Sequence, residues 1–206
     1  YASLEEVKLR ITTKAKNSVE AQRIIKPIKK ELKEKFPKQI FGENNDDLSS
    51  IVIKELIKRN ESIVFAESCT GGLLSSRITS VPGCSKVFKG SIIAYSNESK
   101  NTLLNVPTDQ INSFGAVSEQ VAESMAIGAK NILNADWAIA VSGIAGPEGG
   151  TEAKPKGLVY IAISSPNNET VKIKKQYNPL RNRKEIQRLS VNDCLNGLRL
   201  ILLSNK

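Results

Sequence analysis

The stretch Ala66-Glu67-Ser68-Cys69-Thr70-Gly71-Gly72 limits what this chain can fold into more than any other. It follows the apolar, β-branched run Ile63-Val64-Phe65, which reads as a buried strand. Beyond the two glycines, Leu73 to Thr79 reads as a helix. A strand that passes through small and hydroxyl residues into a helix is an α/β element. It brings backbone N–H groups to a helix N-terminus, where negative charge is stabilised. Ser68, Cys69 and Thr70 are three candidate nucleophiles or hydrogen-bond donors at that spot. A plain helix cap with a glycine turn fits the same residues, so the stretch alone leaves both readings open.

The remaining sequence alternates in the same way. Hydrophobic spacing predicts helices over 48–58, 72–79 and 98–104, a longer one capped by Ser118, and a last one over 184–203. Strands are predicted over 63–66, 91–95, 137–142, 158–163 and 171–176, the last two antiparallel across Pro166-Asn167-Asn168. This alternation predicts a three-layer α/β/α sandwich with a mixed sheet. Residues 1–42 read differently. They predict a strand over 7–13, then a helix capped by Ser18 and carrying Ile24, Ile28, Leu32 and Phe36, kinked or broken at Pro27 and ended by Pro37. A short strand over 39–41 completes a small N-terminal βα(β) fragment. The polar run from Gly42 to Asp47 marks a boundary, giving domains over 1–42 and 43–206.

Composition narrows the chemistry. The 206 residues contain no histidine, which excludes Ser-His-Asp and Cys-His catalysis and argues against a zinc site. Any general base must be Lys, Tyr, Asp, Glu or Cys. The three cysteines are odd in number and lack metal spacing, as expected of reduced thiols in a cytoplasmic protein. No apolar run has the length of a membrane span, and no secretory signal opens the chain. Because it begins at Tyr1, the sequence reads as part of a longer protein. The net charge of +9 suggests a polyanion, but residues 1–42 hold eleven Lys and Arg against five Glu and supply most of it. A solvated lysine-rich helix face accounts for that excess.

In open α/β sheets, ligands gather outside the carboxyl ends of the strands. Three loops there carry candidate chemistry: Ser68 to Gly72, Tyr95 to Lys100, and the glycine-rich Ser142-Gly143-Ile144-Ala145-Gly146-Pro147. The last lacks the Gly-Lys-Ser/Thr ending of a P-loop but can still cradle a phosphate with backbone N–H groups. A lysine desolvated beside a serine can be neutral near pH 7 and take its proton, whereas a surface lysine is simply solvated. Adjacent residues at a strand end point to opposite sides, so Ser68 and Cys69 should not both face a substrate. Cys69 suits a small core position, and Thr70 suits a cap or a substrate-orienting contact.

The motifs AESCTGG, KGSIIAYSNESK, GAVSEQVAESMAIGAK, VSGIAGPEGG and KPKGLVYIAI, in this order, resemble the CinA C-terminal domain over about residues 48–203. Residues 1–42 resemble the end of the KH-like module that precedes it. The resemblance implies hydrolysis of the carboxamide of nicotinamide mononucleotide to nicotinate mononucleotide and ammonia, without metal or organic cofactor. It implies catalytic roles for Ser68, Tyr95 and Lys100, and substrate binding by Thr70, Gly71, Gly72, Ser142, Gly143, Ile144, Ala145, Gly146 and Arg183. The family's closing Gly-Asp-Arg-x-x-x-Arg pattern is altered to Arg181, Asn182, Arg183 and Gln187. The expected partner is a small nucleotide, and a homodimer is expected. Nucleic acid is not, since residues 1–42 lack a Gly-x-x-Gly clamp. The competing expectation is a non-catalytic interaction domain.

Overall fold

A computed structural model describes residues 1–44 and 46–204; Asn45, in the predicted boundary run, lies outside the described residues. The chain divides into two compact units, Tyr1–Asp47 and Leu48–Lys206.

The first unit is built on α1 (Ser18–Lys35). Its cap is Asn17 rather than Ser18: the Asn17 side chain accepts from Glu20 N, and the Glu20 carboxylate accepts from Lys16 N at 2.9 Å. The helix runs unbroken through Pro27, and none of its residues is buried. Glu43 forms ion pairs with Lys29 and, at 2.5 Å, with Lys33. The strands predicted over 7–13 and 39–41 do not form among the described residues; Val7 makes only an isolated bridge to Ala2. A strand needs a neighbour that pairs its backbone N–H and C=O groups along its length. Alternating side chains alone do not supply one.

The second unit contains α2 (Leu48–Arg59), β1 (Ile63–Glu67), α3 (Leu73–Thr79), β2 (Phe88–Ile93), α4 (Asn97–Leu104), α5 (Thr108–Phe114), α6 (Glu119–Ile132), β3 (Trp137–Gly143), β4 (Leu158–Ser164), β5 (Thr170–Gln176) and α7 (Arg183–Ser204). The sheet order is β2-β1-β3-β4-β5, with β1 parallel to β2 and β3, and β4 antiparallel to β3 and β5. Helices cover both faces, so the fold is the mixed-sheet α/β/α sandwich that the alternation predicts.

Small side chains on one face, Ala66, Ala138, Ala140 and Ala162, let α6 pack closely through Val121, Ala122, Met125, Ala126 and Ala129. The opposite face carries Ile63, Phe65, Trp137 and Ile139, all almost fully buried. Each large apolar side chain removed from water contributes about 1.5–3 kcal/mol. Two elements depart from expectation. β2 begins and ends earlier than 91–95, so Tyr95 lies beyond the strand. The seven-residue α5 carries one buried residue, Ile111, too faint a signal for a periodicity reading.

From β1 the chain crosses first to β2 on one side and later to β3 on the other. β1 is therefore the topological switch point of the sheet, and its carboxyl end opens into the crevice where α/β folds bind ligands. Ser68 is the first residue past that end.

Candidate active site

Ser68 follows β1 directly, and its N–H donates to the Val141 carbonyl on β3 at 3.0 Å. The turn then closes through Gly71 N to Ser68 O and Leu73 N to Thr70 O, both at 3.1 Å. Gly72 has φ +98°, a left-handed conformation that L side chains adopt only with strain, and this sharp reversal starts α3.

Lys100 is the second component. It is the fourth residue of α4, whose start is fixed by Ser96 through a reciprocal capping pair with Ser99. Its side chain is 1 % exposed. Nζ lies 3.1 Å from Ser68 Oγ, 2.9 Å from the Ala94 carbonyl oxygen and 3.2 Å from the Tyr95 carbonyl oxygen. Burial disfavours the ammonium and holds the Lys100 pKa below its ordinary 10.5. Nζ thus meets three oxygens: the Ala94 and Tyr95 carbonyls can only accept from it, whereas the Ser68 hydroxyl can accept from the amine or donate to it. A serine hydroxyl and a buried lysine amine therefore lie within hydrogen-bond reach of each other in a chain that has no histidine.

Cys69 is buried, and desolvation raises its thiol to about 12. It is a protonated core thiol at neutral pH and a poor nucleophile. Of the residues taken from the resemblance as substrate contacts, Thr70 spends its hydroxyl, and Gly71 and Gly72 their amides, on the turn. The Glu67 carboxylate accepts from Thr70 Oγ1 at 2.7 Å, Gly72 N at 2.9 Å, Leu74 N at 3.1 Å, Ser75 N at 2.9 Å and Ser75 Oγ at 2.5 Å. This corrects the expectation that the α3 N-terminus is open to an anion: Glu67 already occupies it. Sequence reasoning passes over Glu67, although a carboxylate just before a hydroxyl-rich turn into a helix is a recognisable capping signal. The amides of Cys69 and Thr70 have no oxygen acceptor among the described residues.

Tyr95 reaches this centre with its carbonyl rather than its phenol. The side chain is 58 % exposed, and its hydroxyl accepts from Arg183 Nη2 at 2.6 Å. Arg183, the first residue of α7, also donates from Nη1 to the Gly146 carbonyl at 2.8 Å. Its guanidinium therefore ties the Tyr95 loop to the glycine-rich loop. The Ser142 hydroxyl is buried and donates to the Ala116 carbonyl at 2.8 Å. Gly143 ends β3 rather than opening the loop, and a Cβ there would lie 2.6 Å from Val159 Cγ2. Ile144 pairs by its backbone with Leu158 O and Gly157 N, at 2.9 and 2.8 Å. Ala145 is buried, and Gly146 presents its carbonyl to Arg183. Of the loop residues named from sequence, Ser142 to Ile144 therefore extend the sheet.

Among the described residues, no cluster of His, Cys, Asp or Glu could hold a metal ion, and no helix is long and apolar enough to cross a membrane.

A family model described as the CinA C-terminal domain matches residues 45–202, and one described as the damage-inducible protein CinA KH domain matches residues 1–42. A CinA-like protein of Prochlorococcus marinus strain MIT 9215 is 69% identical over 205 residues, 100% of this chain and 48% of the relative. Another from strain NATL1A is 48% identical over 206 residues, 100% of this chain and 48% of the relative. The chain thus spans about half the length of the curated relatives it matches. Among solved structures, the competence/damage inducible protein CihA from Agrobacterium tumefaciens is 35% identical with a TM-score of 0.74, covering 80% of this chain and 98% of that one. A CinA superfamily protein from Escherichia coli gives 27% and 0.71, covering 82% and 98%. With family models matching 45–202 and 1–42, and a solved relative sharing its fold, the chain belongs to the CinA family.

Proposed function

We propose that this chain is an amidohydrolase that converts nicotinamide mononucleotide to nicotinate mononucleotide and ammonia, with Ser68 as nucleophile and Lys100 as base. The observation that supports this reading is the buried Lys100 Nζ 3.1 Å from Ser68 Oγ, with two carbonyls engaging the other side of the amine. Lys100 takes the hydroxyl proton as Ser68 Oγ attacks the carboxamide carbon. The carbonyl oxygen becomes an oxyanion, and the amides of Cys69 and Thr70, which have no oxygen acceptor among the described residues, are its nearest backbone donors along the chain. Lys100 then returns the proton to the leaving nitrogen, the C–N bond breaks and ammonia departs. Water activated by Lys100 hydrolyses the resulting ester and regenerates Ser68.

A nucleotide monophosphate also needs a cation. Arg183 fits that role, with its guanidinium already at the mouth of the crevice beside Tyr95. The test is ammonia release from nicotinamide mononucleotide. The wild-type chain should produce ammonia and nicotinate mononucleotide in equal amounts, and Ser68→Ala should produce neither. A wild-type chain that releases no ammonia contradicts the proposal.

A further inference from the structure

Gln187 lies one helical turn beyond Arg183 on the same side of α7. Its Nε2 donates to the Cys69 carbonyl at 2.8 Å, although 118 residues separate the two in sequence. This contact differs from the others in the nucleophile turn. The Glu67 carbonyl accepts from Ala94 N, Ser68 O from Gly71 N and Thr70 O from Leu73 N, so the backbone holds each of them. For the Cys69 carbonyl, the partner is a side chain.

The peptide unit between Cys69 and Thr70 is planar, with its C=O and the following N–H pointing in opposite directions. Whatever holds the Cys69 carbonyl therefore aims the Thr70 N–H. That N–H has no acceptor among the described residues, although Thr70 is only 3 % exposed. Buried amides are seldom left unpaired, so an unused one two residues past a nucleophile is a place for a ligand oxygen. A hydrogen bond accepted by the carbonyl also polarises the peptide and strengthens its N–H as a donor.

We propose that Gln187 is a positioning residue for the hydrolysis assigned above: by clamping the Cys69 carbonyl, it aims the Thr70 N–H at the oxyanion formed on the substrate. The proposal rests on Ser68 being the nucleophile. It requires Gln187 to affect the transition state rather than substrate affinity.

Two variants and two readouts test it. Gln187→Leu keeps the bulk and removes the donor; Gln187→Glu keeps the length and sets a carboxylate against the carbonyl. With nicotinamide mononucleotide, both variants should lower kcat by about tenfold or more, with KM within about twofold of wild type. The second readout is the rate at which a fluorophosphonate labels Ser68, in which Ser68 Oγ displaces fluoride from phosphorus and Lys100 takes the proton. That rate requires no nucleotide and should fall by a similar factor in both variants. Wild-type kcat and labelling rate in a folded Gln187→Leu or Gln187→Glu protein overturn the proposal, as does a loss confined to KM. If the wild type is labelled but releases no ammonia, the substrate assignment fails, and the labelling rates alone decide the role of Gln187. A wild type that is neither labelled nor active overturns both.

Discussion

Lys100 is placed where a cation is costly and a base is useful. Burial holds its pKa below 10.5, and its Nζ lies 3.1 Å from Ser68 Oγ. Activity should therefore rise with pH through an apparent pKa below 10.5, as Lys100 loses its proton in a growing fraction of molecules. Lys100→Arg keeps a positive charge that cannot be given up, and should lower kcat by roughly 10² to 10⁴ with little change in KM. A pH–rate profile of the wild type, and steady-state kinetics of the variant, check both expectations. Cys69 provides the contrast. With its thiol raised to about 12, Cys69→Ala and treatment with a thiol-alkylating reagent near pH 7 should leave most of the activity in place. Loss of activity on alkylation of the wild type, absent in Cys69→Ala, would move the nucleophile to sulfur.

At the scale of the element, the active-site turn depends on Glu67. Its carboxylate gathers three amides and two hydroxyls at the start of α3, so a seven-residue helix gains a fixed origin and the Ser68 turn a fixed shape. Hydrogen bonds to a charged group contribute about 1.5–3 kcal/mol, so Glu67→Gln should cost roughly that much in a denaturant titration and lower kcat as well. An unchanged unfolding midpoint would show that the turn is held by other contacts. This part of the site is hard to read in the sequence because Glu67 acts on residues up to eight positions ahead, through a turn whose course depends on Gly71 and Gly72. What the sequence does show is the alternation of buried strands and amphipathic helices, the Ser118 cap and the β4–β5 hairpin. Those signals are local and repeat with a period of two or of about 3.6 residues. The strands expected over 7–13 and 39–41 fail for the opposite reason, since pairing partners are not a local property. The role of Gln187, whose partner lies 118 residues away, is hidden by the same cause.

The whole molecule places one chemistry at one point. The sheet reverses its winding at β1, and Ser68 leaves that strand toward the crevice, with Lys100 entering from α4 and Arg183 and Gln187 from α7. All of these belong to the unit Leu48–Lys206. A chain beginning at Leu48 should therefore remain soluble and keep activity that depends on Ser68; an insoluble or inactive product would show that residues 1–47 are needed for the fold. The central claim is that a serine, without histidine, carries the acyl group of the substrate. Acid quenching of the enzyme during turnover of nicotinamide mononucleotide, followed by mass analysis of the peptide containing Ser68 and Cys69, tests it most directly. The account predicts an acid-stable ester of nicotinate mononucleotide on Ser68, absent in Ser68→Ala and retained in Cys69→Ala. An adduct on Cys69, or undiminished ammonia release by Ser68→Ala, would contradict it.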